Sequence, residues 1–440
     1  MSLASLSFNA LPPIRLPFRF FITAPIFILL CAGLIAYSGP DLWIGRWQPP
    51  MLALVHGFTL GFLTMVMLGA LLQLLPVVAG IGIPRPELLA PLTHGLLCLG
   101  TLILLWGFLQ FHSSFILAAM LLIALGLGIY ITALIWVLIK HISQGDSLLG
   151  FRLAISSLLV VVLLGLALMG RYLGIEWIPP SKHLTNVHAL WGLVGWAGIL
   201  IIAVSYQVIP MFHVAPSFPL IVRRALTPLI FIGLLLSIAF PSFSLPALSL
   251  LQGLFALVLL GVIHRRKRKV PDTSIRYWQL GASALLLTSV LFFIPEGIWK
   301  EYLSIDKTML LAALFMYFYL MSIIEGMLLK ILPFLSYTHL QQRCLIDFTA
   351  MQYIPNMHEF FDKKHGQWLF YSHVISGLTL IWVLFQPSYY FIFAVALVLE
   401  STGLLVIMLK TMKLYFTVDK KITQAAKDRI EPPAASFKNT

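Results

Sequence analysis

The sequence predicts an all-α, polytopic membrane protein of about twelve transmembrane helices. Three observations carry this. Of 440 residues, 60% are hydrophobic and only 10% are charged, and the mean hydropathy is +0.95. Soluble proteins carry roughly 25% charged residues, and a chain this apolar has too little polar surface to face water. The apolar residues also fall into runs close to the roughly 20 residues that a span needs. Finally, the basic residues collect on alternate connections, as they do on the cytoplasmic side of membrane proteins.

The predicted spans cover 20–38, 51–79, 88–111, 114–139, 149–170, 186–210, 225–241, 246–263, 277–295, 308–333, 367–386 and 388–411. The first follows Arg15 and Arg19 and lacks a small-residue cleavage site, so it reads as an uncleaved anchor. The fourth and fifth are the least distinct at their ends. The seventh and eighth are divided only by Pro241-Ser242-Phe243-Ser244, a tight connection. The longest connection is 334–366, with Pro355, His358, Glu359, Asp362 and His365, and it is expected to fold back on the membrane. The charged tail, 412–440, is expected to leave the bilayer and to be partly disordered beyond it. Residues 1–411 form a single transmembrane domain.

Placing the N-terminus inside puts 23 Lys and Arg on inner connections and five (Arg46, Arg171, Lys182, Lys300 and Lys307) outside. The N- and C-termini are therefore expected in the cytoplasm. The net charge of +13, including the run Arg265-Arg266-Lys267-Arg268-Lys269, is explained by these loops. No nucleic-acid partner is expected; the expected partner is the lipid bilayer. Cys31, Cys98 and Cys344 have no paired spacing, so they form no zinc or redox motif, and the chain has no CxxCH for a covalent haem.

Three spans end alike. The second ends Gly69-Ala70-Leu71-Leu72-Gln73-Leu74-Leu75-Pro76, the sixth Ala203-Val204-Ser205-Tyr206-Gln207-Val208-Ile209-Pro210, and the tenth Gly326-Met327-Leu328-Leu329-Lys330-Ile331-Leu332-Pro333. Each places Gln73, Gln207 or Lys330 three residues before a Pro, at intervals of 134 and 123 residues that each hold four spans. This points to a four-helix unit used three times, roughly 20–139, 149–263 and 277–411. The first two spans of the set also begin alike, with Val55-His56-Gly57 and Val187-His188-Ala189.

A twelve-span chain of three four-helix units, with the second, sixth and tenth helices equivalent, resembles subunit I of the haem-copper oxidases. The stretch from Leu54 to Met67, LVHGFTLGFLTMVM, is similar to that superfamily's second helix, in which a His followed by a small residue supplies a low-spin haem ligand. The resemblance extends to divergent subunit-I-like proteins and to NnrS-like proteins of the nitric oxide response. It implies three arcs around a pseudo-threefold axis, a bacterial inner-membrane location, a b-type haem, and respiratory subunits or an electron donor as partners. The chain departs from the family in two places. Met309 to Pro333 contains no His, where the family's tenth helix has two, and Arg223 to Pro241 lacks the family's copper-site pair. Copper is not expected. The implied function is electron transfer, or nitric oxide or dioxygen handling, without a complete binuclear centre. A secondary transporter and a cofactor-free membrane scaffold or assembly protein remain alternatives. Oxidoreductase activity is left open.

Ionisable and ligating side chains within spans are costly and are functional candidates by default. His56 and His188 lie at similar depth near the starts of their spans. Two neutral imidazoles on facing helices are what a six-coordinate b-type haem requires, and hydrogen bonds to neighbouring backbone are the other reading. His183 is placed either on a haem propionate or in solvent. His94 and His373 are candidates for a second site or for structural hydrogen bonds. His213 and His339 follow Pro210 and Pro333 at the inner face. Glu325 and Lys330 are five residues apart on one helix and do not share a face. Together with Gln73 and Gln207 they are candidates for a proton or polar network. Glu400 is read the same way, with a structural hydrogen bond as the alternative. Tyr206, Tyr317 and Tyr319 are polar handles that either line a redox site or pack.

Overall fold

The computed structural model describes residues 11–140, 145–175, 182–345 and 348–430, and among these every regular element is helical. The long helices are α1 (Arg15–Ser38), α2 (Pro49–Val77), α3 (Pro86–Gln110), α4 (Ser113–Lys140), α5 (Asp146–Tyr172), α6 (Lys182–His213), α7 (Leu220–Leu236), α8 (Pro241–His264), α9 (Thr273–Phe292), α10 (Lys307–Arg343), α11 (Lys363–Phe385) and α12 (Tyr390–Ile430). Ten helices among the described residues are long and apolar enough to cross a membrane, and eleven if α9 is joined to the short helix Glu296–Tyr302 beyond a 107° bend. The remaining helix, α7, has 17 residues. The chain is a multi-pass membrane protein. Its outer surface carries large exposed apolar side chains such as Leu121, Trp136 and Leu163, which lipid covers at no cost.

The helices of most buried character are α2, α6 and α10. Each contains an eight-residue π-helical stretch: Gly57–Thr64, Trp191–Gly198 and Leu314–Met321. The starts of these stretches are 134 and 123 residues apart, the same intervals that separate Pro76, Pro210 and Pro333. A π turn carries an extra residue and re-aims the side chains that follow, and such turns gather at functional sites.

Each of these helices crosses the helix before its unit's second span at a small residue. A Cβ at Gly69 would meet Phe20 of α1, and one at Gly326 would meet Tyr277 of α9. In the middle unit the small residues are on both helices, Gly150 of α5 against Ala203 of α6. Between helices in lipid, such close approach supplies the packing that hydrophobicity cannot. The first and last helices, α1 and α12, lie side by side, with the ring of Phe18 6.5 Å from that of Tyr415.

The described helices extend beyond several expected ends. α6 and α10 pass through Pro210 and Pro333, where their spans are expected to end, and α2 passes through Pro76 within its expected 51–79 span. In a membrane bundle, neighbouring groups satisfy the carbonyl that a Pro leaves free. Just past Pro76 the stop comes from Gly80, whose φ of 67° is left-handed, the conformation that closes a helix. The expected 334–366 connection therefore begins only after Arg343. It contains two 3₁₀ turns, and at the second Asn356 and Glu359 cap each other. The Asn356 hydrogen bonds hold the Glu359 carboxyl below its ordinary value. The tail after 412 is helical to Ile430, and Asp419 pairs there with Arg343 at 3.2 Å. Pro432 and Pro433 lie outside the described residues.

Candidate functional site: a paired-histidine cavity and a buried Glu–His–Glu cluster

His56 ends the α-helical start of α2, directly before its π stretch, and His188 lies three residues before the π stretch of α6. Their ring centres are 6.2 Å apart and their planes differ by 20°. His56 Nδ1 is 2.8 Å from the Leu52 carbonyl one turn back on α2, and His188 Nδ1 is 3.1 Å from the Val161 carbonyl on α5. In each case the ring nitrogen donates to a carbonyl, which sets the neutral tautomer and leaves an Nε2 lone pair. Neither Nε2 has a hydrogen-bond partner among the described residues. The His188 ring is seated over Gly165 of α5, where a Cβ would come within 3.1 Å of its Cε1. Phe108 of α3 packs on His56 with ring centres 5.3 Å apart.

Both rings border a cavity of about 690 Å³ at the end of the bundle where α2, α6 and α10 begin. Its walls are mainly apolar, among them Leu104, Phe108, Leu158 and Met169. Two cations also line it, Arg46 and Lys182, both close to the indole of Trp47. Burial lowers the Arg46 guanidinium from its ordinary value, and nearby Asp306 opposes that.

The second cluster is in the third unit. Glu325 of α10, His373 of α11 and Glu400 of α12 are all fully buried. Each contributes a ligand-type atom, and these atoms lie within 4.8 Å of one another. His373 Nδ1 is 2.7 Å from Glu400 Oε1 and 3.6 Å from Glu325 Oε2. His373 Nε2 is 2.7 Å from Ser322 Oγ. The Tyr277 hydroxyl donates to Glu325 Oε2 at 2.9 Å, and the Tyr317 hydroxyl donates to Glu400 Oε2 at 2.5 Å. The Tyr317 ring stacks on His373 with centres 4.7 Å apart, and it also lines the cavity. Tyr317 thus joins the two regions.

The other candidates are spread through the molecule. Gln73 Nε2 donates to the Pro12 carbonyl at 3.4 Å, Gln207 is half-buried, and Lys330 pairs with Asp272 at 2.6 Å. These three therefore sit apart from Glu325. His183 reaches the Ile238 carbonyl at 2.9 Å. His94 is held by Thr23 at 2.8 Å, and its ring lies 5.1 Å from Phe20, much as the ring of His373 lies 5.3 Å from Tyr277. His94 and His373 occupy matching places in different units and do not form one site. His213 lies 3.7 Å from Asp272, and His339 is buried within α10. Tyr206 donates to the Val222 carbonyl at 3.1 Å, and Tyr319 is fully buried.

Sequence reasoning named His373 and Glu400 singly but did not join them, because they lie on different helices 27 residues apart, with no motif spacing to connect them. Gly165, the Val161 carbonyl and the role of Arg46 also went unseen. Comparison with protein families and with curated proteins finds no match for this chain.

Proposed function

We propose that this is a haem-binding integral membrane protein of the haem-copper oxidase subunit I type, working in electron transfer. The observation that carries the reading is the paired-histidine geometry. A metal–nitrogen bond of about 2 Å on each side, with roughly another ångström from nitrogen to ring centre, spaces two ligating imidazole centres about 6 Å apart. The observed 6.2 Å agrees with this. The free Nε2 atoms, the carbonyl-fixed Nδ1 atoms and the apolar cavity are further support for a b-type haem there. His56 and His188 would hold it, and Arg46 and Lys182 would receive its propionates. When bound, the haem supplies one-electron redox chemistry. The chain's own groups fix the ligand tautomers, exclude water and offset the propionate charge. Two protein ligands favour electron transfer over gas binding.

The architecture supports the same reading. Counting α7 and α9 as spans gives twelve, and the recurring π stretches and prolines favour three arcs around a pseudo-threefold axis. The basic bias favours cytoplasmic termini in a bacterial inner membrane, with the cavity toward the outer leaflet. The test is an absorption spectrum with haem quantitation on protein purified from haem-replete cells. A b-type spectrum at one haem per chain, absent in His56→Ala, is expected. A colourless, folded wild-type preparation would overturn the reading and leave a cofactor-free scaffold.

A further inference from the structure

The Glu–His–Glu cluster presents a charge problem. Glu325 and Glu400 are both fully buried, and among the described residues neither pairs with a lysine or an arginine. An isolated buried carboxylate is severely penalised unless it is neutralised or paired. Two carboxylates converging on one imidazole call for about two positive charges from protons or from a cation.

Two details of the cluster make room for a cation. Glu325 Oε1 is buried with no hydrogen-bond partner among the described residues. His373 is anchored through Nε2 on Ser322, which directs Nδ1 at both carboxylates: a proton on Nδ1 donates to Glu400, and with the proton on Nε2 the Nδ1 lone pair is free to ligate a cation. In that second tautomer the lone pair faces a carboxylate oxygen at 2.7 Å, an arrangement that needs a positive charge between them. The observed spacings of 2.7 and 3.6 Å bracket the roughly 3 Å between neighbouring ligand atoms that each lie about 2.1 Å from a six-coordinate ion. Tyr317 donates to the outer oxygen of Glu400, Oε2, and Tyr277 donates to Glu325 Oε2, the oxygen that also faces His373. Such hydroxyls orient ligating carboxylates.

We propose that Glu325, His373 and Glu400 bind one divalent first-row metal ion. The nitrogen and carboxylate donors, with no thiolate, suit manganese(II), iron(II) or zinc(II). The proposal stands on these atoms alone and does not need the haem reading to be right.

The full-length protein is stripped with a chelator and dialysed separately against Mn²⁺, Fe²⁺ and Zn²⁺. Bound metal is then measured by mass spectrometry, with haem iron counted separately by its pyridine complex. One tightly held ion per chain is expected for at least one metal, with occupancy falling at least tenfold in Glu325→Gln and in Glu400→Gln. His56→Ala should keep the ion, which separates this result from loss of the haem reading. If either glutamine variant does not fold, electron spin echo spectroscopy of Mn²⁺ in the wild type decides: coupling to one imidazole nitrogen supports the site. The proposal is overturned if the wild type takes up no ion beyond haem iron, if the folded variants load equally well, or if Mn²⁺ shows no nitrogen coupling. Carboxylic protons would then be what neutralises the cluster.

Discussion

His56 and His188 border open apolar space, and each has one nitrogen uncommitted. His373 is sealed among four helices, with Nδ1 facing two carboxylates and Nε2 on a serine. The same side chain serves two designs. At the cavity, each ring is aimed by a single backbone carbonyl and the rest of its surroundings are unspecific, so the pair is preorganised for something that enters. At the cluster, the polar groups are sealed from solvent and contact one another directly, so each group depends on its neighbours for burial. The first region should tolerate substitution and lose a ligand, whereas the second should lose stability.

The largest effect is expected at the cluster. Glu400→Ala removes the partner of both His373 Nδ1 and the Tyr317 hydroxyl inside a sealed site. Breaking such a buried set costs about 3–5 kcal/mol, to be read as a lower melting temperature in detergent, with Glu400→Gln losing clearly less. Equal melting temperatures for wild type and Glu400→Ala would remove the contrast between the regions.

Next comes His188→Ala, expected to abolish haem retention while costing the haem-free protein under about 1 kcal/mol, because the ring gives up one backbone hydrogen bond at a cavity wall. The paired measurement is haem content against the haem-free melting temperature. Gly165→Val sharpens this, since the new side chain crowds the His188 ring from α5 while leaving both ligand residues in the sequence. Haem content should fall severalfold with the helical circular dichroism unchanged. Unchanged haem content would mean that His188 is not positioned from α5.

Smaller still is Tyr317→Phe, which deletes the hydroxyl that joins the regions and should cost about 1–2 kcal/mol. The least effect belongs to Lys182→Gln at the cavity mouth, where an exposed charge is largely screened. A faster loss of haem to a scavenging apoprotein, by about twofold to fivefold, is expected, with a weaker difference in high salt.

Much of the helical plan was readable because a bilayer imposes it. Span length, basic-loop bias and the Gln/Lys–Pro endings at 134 and 123 residues all survive translation into one-dimensional pattern. Pro210 and Pro333 misled about helix ends, since in an aqueous protein an interior Pro usually breaks the helix, and here it does not. His56 and His188 were visible as a pair through their shared Val-His-small context. Their register was not: in the spacing shared by the prolines and π stretches, His56 corresponds to Leu190 rather than to His188. A two-residue shift turns a helical side chain by about 200°, so local pattern could not establish that the rings would meet.

Composition and spacing by themselves determined that this chain folds as helices in lipid, roughly where those helices lie, and which few polar side chains are expensive enough to need a purpose. They did so because hydrocarbon penalises every unpaired polar group, and that penalty is written residue by residue. Only the tertiary structure decided which of those side chains meet. It opened a cavity beside His56 and His188, brought Glu325 and Glu400 to His373, and sent Lys330 to Asp272. Convergence depends on how helices rotate and cross, and those angles come from contacts such as Gly165 beneath His188 and Gly326 against Tyr277, between residues that no sequence period links.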